Sequence, residues 1–399
     1  MKVLSNEYLS NLPSGSNVAP GGPANFARPF SNFITKHGHE WIGIIHQGNN
    51  ANKTTLRKKA SSPGKTFFIL SFSYEHYRSF LNLEKRCDAR VWFAPQIKRI
   101  RSFIRRMEPD VLFLNGFSVY AWLLLEAAKQ EHLPIAIQHA GIAKIEFTQY
   151  KHLYSKTGRA MVLQMEQDIV DAASKQIFLN DFSREVFCKK VAPVPKKQSI
   201  IIPLPYQESF LRSADLYRAR EKNKTETINI GCVARWDRIK NHRAILRVAR
   251  EAKKQKLPWK FTSVTRIPQT PIDLHFKQSY RKNIEVMLPM EQKALIPFYE
   301  SMDLFVLPSH FDVSPTVVME AALFGKKTLI SPNVGWVSEY RSSGLRNWII
   351  DFSDAKKVVD RIKKLLKKQA NSNFRSIIRN RHSPDKIFSK YLQIFKSII

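Results

Sequence analysis

Short apolar runs alternate with segments of helical spacing along the whole chain, and this alternation restricts the fold more than any other feature. In the first half the runs are Trp41–Ile45, Thr66–Leu70, Val111–Leu114, Ile135–Gln138, Gln176–Leu179 and Gln198–Ile202. In the second half they are Ile228–Val233, Phe261–Val264, Ile284–Met287, Leu304–Leu307, Thr328–Ile330 and Trp348–Ile350. Between them apolar residues recur with helical period, as in Ile97, Ile100, Ile104, Met107 and in Ile245, Val248, Ala249, Ala252. Val358, Val359, Ile362, Leu365 and Leu366 repeat the pattern near the end. Strand and helix in alternation specify a parallel sheet covered by helices on both faces. A length of 399 residues exceeds one ordinary core, so the two series predict two doubly wound α/β lobes.

The seam falls between Pro203 and Lys224. Pro203, Leu204 and Pro205 stop one run, a charged, loop-like stretch ending at Arg220–Glu226 follows, and Thr227 opens the next run. The division expected is 1–205, 206–380, and a C-terminal helix over 381–399 that packs back on the first lobe. Segments 48–65 and 266–274 read as loops from their Asn, Ser, Gly and Pro content. The first is also long and basic, as functional loops often are.

Composition narrows the setting. Lys and Arg number 65 against 33 Asp and Glu, a net charge of +32 that attracts nucleic acid, anionic lipid or phosphorylated substrates. Solvated lysine-rich faces would give the same count. Cys87, Cys188 and Cys232 are odd in number and widely spaced, which argues against a disulfide framework or zinc cluster and for a reducing compartment. The opening MKVLSNEYLSNLP has no apolar signal core. The most apolar stretch, Val111–Ala128, holds Asn115, Gly116 and Glu126, so it reads as a strand and a helix rather than a membrane span. A cytoplasmic location is expected.

Two constellations carry chemistry. Arg235 and Lys240 follow the run Ile228–Val233, just before a helix that opens near Asn241 or His242. Ligands of open α/β sheets bind outside the carboxyl ends of the strands, and two cations there, beside a helix start, suit a diphosphate. In the second, Asp312 follows the run Leu304–Leu307. Ser314 is a suitable N-cap, Pro315 fits the first helical position, and the helix Thr316–Phe324 ends at Gly325. The amides of Thr316 and Val317 would face a ligand, with Glu320 about one turn further on. Carboxylates accept paired hydrogen bonds from vicinal hydroxyls, which hexoses and riboses both offer. Taken singly, these residues also suit an exposed basic loop, an ordinary turn and a solvated helix position. Met319, Ala321, Val317 and Phe324 surround Glu320 with apolar neighbours, which counts against solvation.

The pair Arg235 and Lys240, followed by Asp312-x7-Glu320, resembles the retaining glycosyltransferases of the GT-B fold, the "group 1" family, where the second motif usually reads Glu-x7-Glu. The resemblance extends through Gly21-Gly22, His37-Gly38-His39-Glu40, Pro109-Asp110-Val111, Gln138-His139-Ala140-Gly141, Ile202-Pro203 and Asn333–Glu339. Trp336 stands where the family usually has a second glycine, a change that would narrow the donor pocket. The resemblance implies two Rossmann-like lobes with a cleft between them. It implies a nucleotide diphosphate sugar held by Gly21, Gly22, Arg235, Lys240, Asp312, Thr316, Val317 and Glu320. Arg235 and Lys240 would take the diphosphate, Asp312 the transferred sugar and Glu320 the ribose, with His139 near the reacting carbon.

The function expected is transfer of a hexose-type sugar to a glycan or lipid-linked acceptor with retention, within polysaccharide biosynthesis. No metal and no cofactor are expected, because no Asp-x-Asp occurs, and neither GxxxxGK[ST] nor GxGxxG is present. His37 and His39 have no third ligand nearby and read as a turn. Arg243, Arg247, Arg250 and Lys254, like Lys98, Arg101 and Arg105, line helical faces opposite apolar ones. They read as solvated faces or as a surface for an anionic membrane. Other readings of the chain are a basic nucleic-acid-binding protein, a donor-binding subunit without catalysis, and a sugar-nucleotide epimerase. No RRM, KH or zinc signature supports the first, and nucleic acid is not an expected partner. The sequence leaves the oligomeric state open.

Overall fold

The strand at the centre of the first unit is one that the apolar runs do not reveal. In a computed structural model describing residues 1–8, 22–49, 53–147, 154–218, 226–367 and 372–399, Lys2–Glu7 forms β1. The chain divides into two units, Met1–Pro203 with Asp385–Ile399, and Leu204–Pro384. In the first unit follow β2 (Glu40–Asn49), β3 (Thr55–Ser62), β4 (Lys65–Ser73), β5 (Val111–Asn115), β6 (Ile135–His139), β7 (Lys175–Phe178) and β8 (Ser199–Ile201). They form one sheet in the order β3-β4-β2-β1-β5-β6-β7-β8, parallel except for β3. β1 pairs with β2 on one side and β5 on the other. Ser5 lies within it, wholly buried, so a polar centre hides a core strand from an apolar search.

Of the segment 48–65, expected as a loop, residues 48–49 end β2 and 55–65 build the hairpin β3–β4, while 50–52 lie outside the described residues. β3 is an edge strand: Leu56 points inward while Arg57, Lys58 and Lys59 are exposed. Charged residues keep a sheet edge from pairing with another chain, and the same residues make it read as a loop. Two further corrections concern boundaries. Trp348–Ile350 is not a strand: Arg346–Trp348 is a 3₁₀ turn, and only Ile349 bridges Ile330. The stretch after Pro205 contains a helix, Glu208–Arg218, while 219–225 lie outside the described residues.

Helices cover both faces of the first sheet. Those at Ala94–Met107, Val119–Gln130 and Lys156–Ala172 pack with Leu4, Ile42, Leu112 and Leu114. The opposite face meets Gly22–Lys36 and Pro384–Ile398, where the rings of Phe388 and Tyr391 each lie 5.2 Å from that of Phe30. The final helix thereby supplies core to the first unit.

The second unit holds β9 (Ile228–Val233), β10 (Trp259–Val264), β11 (Glu285–Met287), β12 (Leu304–Leu307) and β13 (Lys327–Ile330). The sheet runs β11-β10-β9-β12-β13, all parallel. The order reverses between β9 and β12, the switch point of a doubly wound sheet, where the loops leaving two neighbouring strands diverge and open a crevice. Both units are Rossmann-like. Among the described residues no helix is long and apolar enough to cross a membrane.

Candidate functional site

The two constellations read from the sequence meet at that switch point. Three bonds tie the loop after β9 to the loop after β12. The His310 amide donates to the Ile239 carbonyl at 2.7 Å, and the Asn241 side-chain amide to the Pro308 carbonyl at 3.0 Å. The third joins Lys240 Nζ to Asp312 Oδ2 at 2.5 Å, with both side chains largely covered, 15% and 13% exposed. Thus Lys240 and Asp312, expected on different parts of a ligand, are brought together as an ion pair. Arg235 is placed differently: its side chain is 70% exposed, and its guanidinium is 3.8 Å from Asp237.

Local geometry explains how Lys240 reaches this position. Asp237 caps the 3₁₀ turn Arg238–Lys240 through the Ile239 amide at 3.0 Å, and Asn241 then turns left-handed at φ 56°. Asparagine tolerates that conformation better than most residues. The helix His242–Lys254 starts there, and His242 anchors the loop. Its Nε2 donates to the Arg235 carbonyl at 2.8 Å, which leaves Nδ1 of the neutral ring to accept from the Tyr280 hydroxyl at 3.0 Å. Burial pushes the His242 imidazole down to about 4, so the ring stays neutral at ordinary pH. Trp236 stacks on it at 4.6 Å.

The loop after β12 is held by the segment beyond β13. The Asp312 amide donates to the Asn333 carbonyl, and the Gly335 amide to the Asp312 carbonyl, so residues 333–335 lie alongside Asp312. The helix is Thr316–Leu323, with Pro315 at its N-cap and no capping side chain. This corrects the assignment of Ser314 as cap, and it leaves the first-turn amides of Thr316 and Val317 without a side-chain acceptor. Gly325 follows the helix at φ +68°, a conformation that costs glycine little. Glu320 is buried and accepts from the Tyr299 hydroxyl at 2.5 Å. Burial and the neighbouring carboxylate hold the Tyr299 phenol well above its usual range, so it remains a donor. Trp336 is packed in the core of the unit, 3% exposed, and its indole N–H donates to the Pro315 carbonyl at 3.0 Å. The ring anchors the helix start from within instead of narrowing an open pocket.

Three of the expected residues belong to the first unit. Gly21 lies outside the described residues, and Gly22 opens the helix Gly22–Lys36. His139, expected beside a reacting carbon, is a core residue 1% exposed. Its Nε2 meets Gln176 Oε1 at 3.1 Å, its ring stacks on Phe178 at 4.5 Å, and burial lowers its pKa to about 4. It is a satisfied, neutral ring and does not present itself as an exposed acid or base. Sequence reasoning missed a polar network at the ends of β1 and β5. There Asn6 and Asn115 bond reciprocally, Tyr8 donates to the Asn115 carbonyl at 2.9 Å, and Gln138 donates to Asn115 Oδ1 at 3.1 Å. The signal available was polar residues closing otherwise apolar strands. The basic helical faces are partly tied down: Arg101 and Arg105 both pair with Glu131 at 2.7 Å, and Arg243 pairs with Asp273 at 3.1 Å.

The switch point of the second sheet thus carries the Lys240–Asp312 ion pair, the exposed Arg235 and a helix start with no capping side chain. Residues 213–382 match the family model described as "Glycosyl transferases group 1". The whole chain is similar in fold to a sucrose-phosphate synthase from Thermosynechococcus elongatus, with TM-score 0.73, 13% identity, and 99% and 98% of the two chains covered. It is likewise similar to an E. coli structure titled "Trehalose-6-phosphate", bound with UDP-2-fluoro glucose, at TM-score 0.68 and 11% identity over 100% of both chains. A curated relative, an uncharacterized 41.2 kDa protein in the cps region of Klebsiella pneumoniae, is 28% identical over 178 residues, 43% of this chain. The match spans about half of that relative, 47% of its length. The chain has the GT-B fold of two Rossmann-like lobes, and residues 213–382 match the model of the group 1 glycosyltransferases.

Proposed function

We propose that the chain transfers a hexose-type sugar from a nucleotide diphosphate donor to a glycan or lipid-linked acceptor, with retention and without a metal ion. The observation that carries this reading is the cross-linked pair of loops at the switch point, which holds Lys240 against Asp312 beside the helix start at Thr316. Cleavage of the sugar–diphosphate bond develops negative charge on the leaving phosphate. Arg235, Lys240 and the amides of Thr316 and Val317 supply fixed positive charge there. As the diphosphate enters, Lys240 is shared with phosphate oxygens, which leaves Asp312 to accept from sugar hydroxyls. Glu320, steadied by Tyr299, receives the ribose. The donor class is supported by the similar E. coli structure, which is bound with UDP-2-fluoro glucose. Retention is supported by the likeness in fold to a trehalose-6-phosphate synthase, an enzyme of glycosyl transfer with retention.

Arg235→Ala and Lys240→Ala should each lower transfer by about 10²-fold, Arg235→Ala with little change in thermal unfolding and Lys240→Ala with some loss of stability, because it leaves the covered Asp312 carboxylate unpaired, and EDTA should leave the wild-type rate unchanged. Full activity in both variants would overturn the diphosphate assignment, and loss of activity with EDTA would overturn metal independence. The three free cysteines support a cytoplasmic setting, and the net charge of +32 supports work at an anionic membrane face. Flotation with vesicles containing anionic lipid should recover the protein in low salt and not in high salt. Equal recovery with neutral vesicles would remove that part of the reading.

A further inference from the structure

A pocket of about 810 Å³ lies within the first unit, beside the carboxyl end of β4 and the helix Ala94–Met107. Lys53, Lys98 and Arg99 line it against one carboxylate, Glu75, which is itself 3.9 Å from Arg78. Two helices start on its wall, Tyr74–Leu81, capped by Ser73, and Ala94–Met107, which no side chain caps. Helix starts add partial positive charge to that of the side chains.

Two wall groups lack the protein partners that buried polar atoms normally have. Gln96 is 5% exposed; its amide nitrogen donates to Thr54 Oγ1 at 3.1 Å, and its oxygen has no partner. His76 Nε2 is buried without a partner, while its ring stacks on Trp92 at 5.1 Å. A buried polar atom left unpaired is costly, and here two such atoms belong to residues lining one basic pocket. Turning the Gln96 amide over lets its oxygen accept from the Thr54 hydroxyl and brings the NH₂ group round as a donor. His76 Nε2 donates in its Nε2–H tautomer. Cations and N–H donors from several sides suit a tetrahedral oxyanion better than a planar carboxylate, which a single arginine grips at two points.

We propose that this pocket binds a phosphate group carried by the acceptor substrate, separately from the donor diphosphate at Arg235 and Lys240. The assignment to the acceptor rests on the transferase reading and on the position at the carboxyl ends of the first unit's strands; the phosphate site does not depend on it. The test is calorimetric titration of the full chain with inorganic phosphate, a hexose monophosphate, and phosphatidylcholine vesicles with or without phosphatidic acid. UDP is titrated in parallel. The double variant Lys98→Ala/Arg99→Ala should weaken binding of the phosphate probes at least about tenfold, ~1.4 kcal/mol, and leave UDP binding intact. Gln96→Leu should weaken it without changing the net charge, which diffuse attraction to a basic surface would not do. Arg235→Ala should show the converse pattern. Binding of the hexose monophosphate assigns the group to a soluble acceptor, and binding of only the phosphatidic acid vesicles assigns it to a lipid headgroup. If no probe binds, if Gln96→Leu binds as the wild type does, or if phosphate binding follows Arg235 instead of Lys98 and Arg99, the proposal fails. Failure of the transferase reading registers separately, as absence of UDP binding.

Discussion

At the scale of single residues, the candidate site depends on side chains that hold other side chains. Lys240 and Asp312 occupy their places because Asn241 and the His310 amide lock two loops together, and because His242 fixes the backbone at Arg235. Tyr299 does the same for Glu320, through a hydrogen bond to a charged group in a buried setting. Such bonds contribute about 1.5–3 kcal/mol, so Tyr299→Phe should lower stability in urea unfolding by that amount. If Glu320 receives the ribose, the same variant should weaken binding of UDP by about tenfold, ~1.4 kcal/mol, and leave inorganic pyrophosphate binding unchanged. Equal weakening of both ligands would place Glu320 elsewhere. The charged members of the site were legible in the sequence because carboxylates and cations stand out beside apolar runs. Their holders were not: Lys240 and Asp312 are 72 residues apart, and nothing short of the β9–β12 adjacency shows that Asn241 faces Pro308.

At the scale of elements, periodicity located strands buried on both faces and failed where another demand shaped the sequence. β12 is apolar throughout, and β5, β6 and β9 are mostly so, because helices cover both faces of their sheets. β1 occupies an equally central place, yet it ends in Ser5, Asn6 and Glu7, since its carboxyl end joins the polar network with Asn115 and Trp41. A strand end that carries polar groups to a switch point loses the apolar signature that would reveal it. β3 was hidden for the opposite reason, as an edge whose exposed lysines and arginine resemble a loop. The helix expected over Thr316–Phe324 runs Thr316–Leu323 with Phe324 at its C-cap, and the expected N-cap differs as well. Pro315 takes the N-cap position, and what fixes it is Trp336, whose indole reaches back to the Pro315 carbonyl. A tryptophan in place of a family glycine is therefore explained by packing beneath the helix start, a contact no local rule could supply.

At the scale of the whole molecule, charge and burial act together on acid stability. His139, His242 and His382 are each lowered to about 4 and His46 to about 3, in every case chiefly by burial. A folded pKa below the unfolded value near 6.5 means that the unfolded chain binds more protons between the two values. Stability is therefore complete above about pH 6.5 and falls as pH drops toward 4. At pH 5 each of these rings costs about 2 kcal/mol by that linkage. Glu166 works in the opposite sense: burial raises its carboxyl to about 7, so protonating it favours the fold between about pH 7 and 4.5. One carboxyl against four imidazoles leaves the balance destabilising. Acid also titrates surface carboxylates and drives the net charge further above +32, adding self-repulsion. The two contributions separate with salt, which screens exposed charges within about 8 Å at physiological ionic strength and affects buried rings much less. Chemical unfolding should show several kcal/mol lost between pH 7.5 and pH 5, of which high salt restores only part. Recovery of the full loss by salt would assign the effect to surface charge, whereas equal stability at the two pH values would mean that the four rings are not held neutral by the fold.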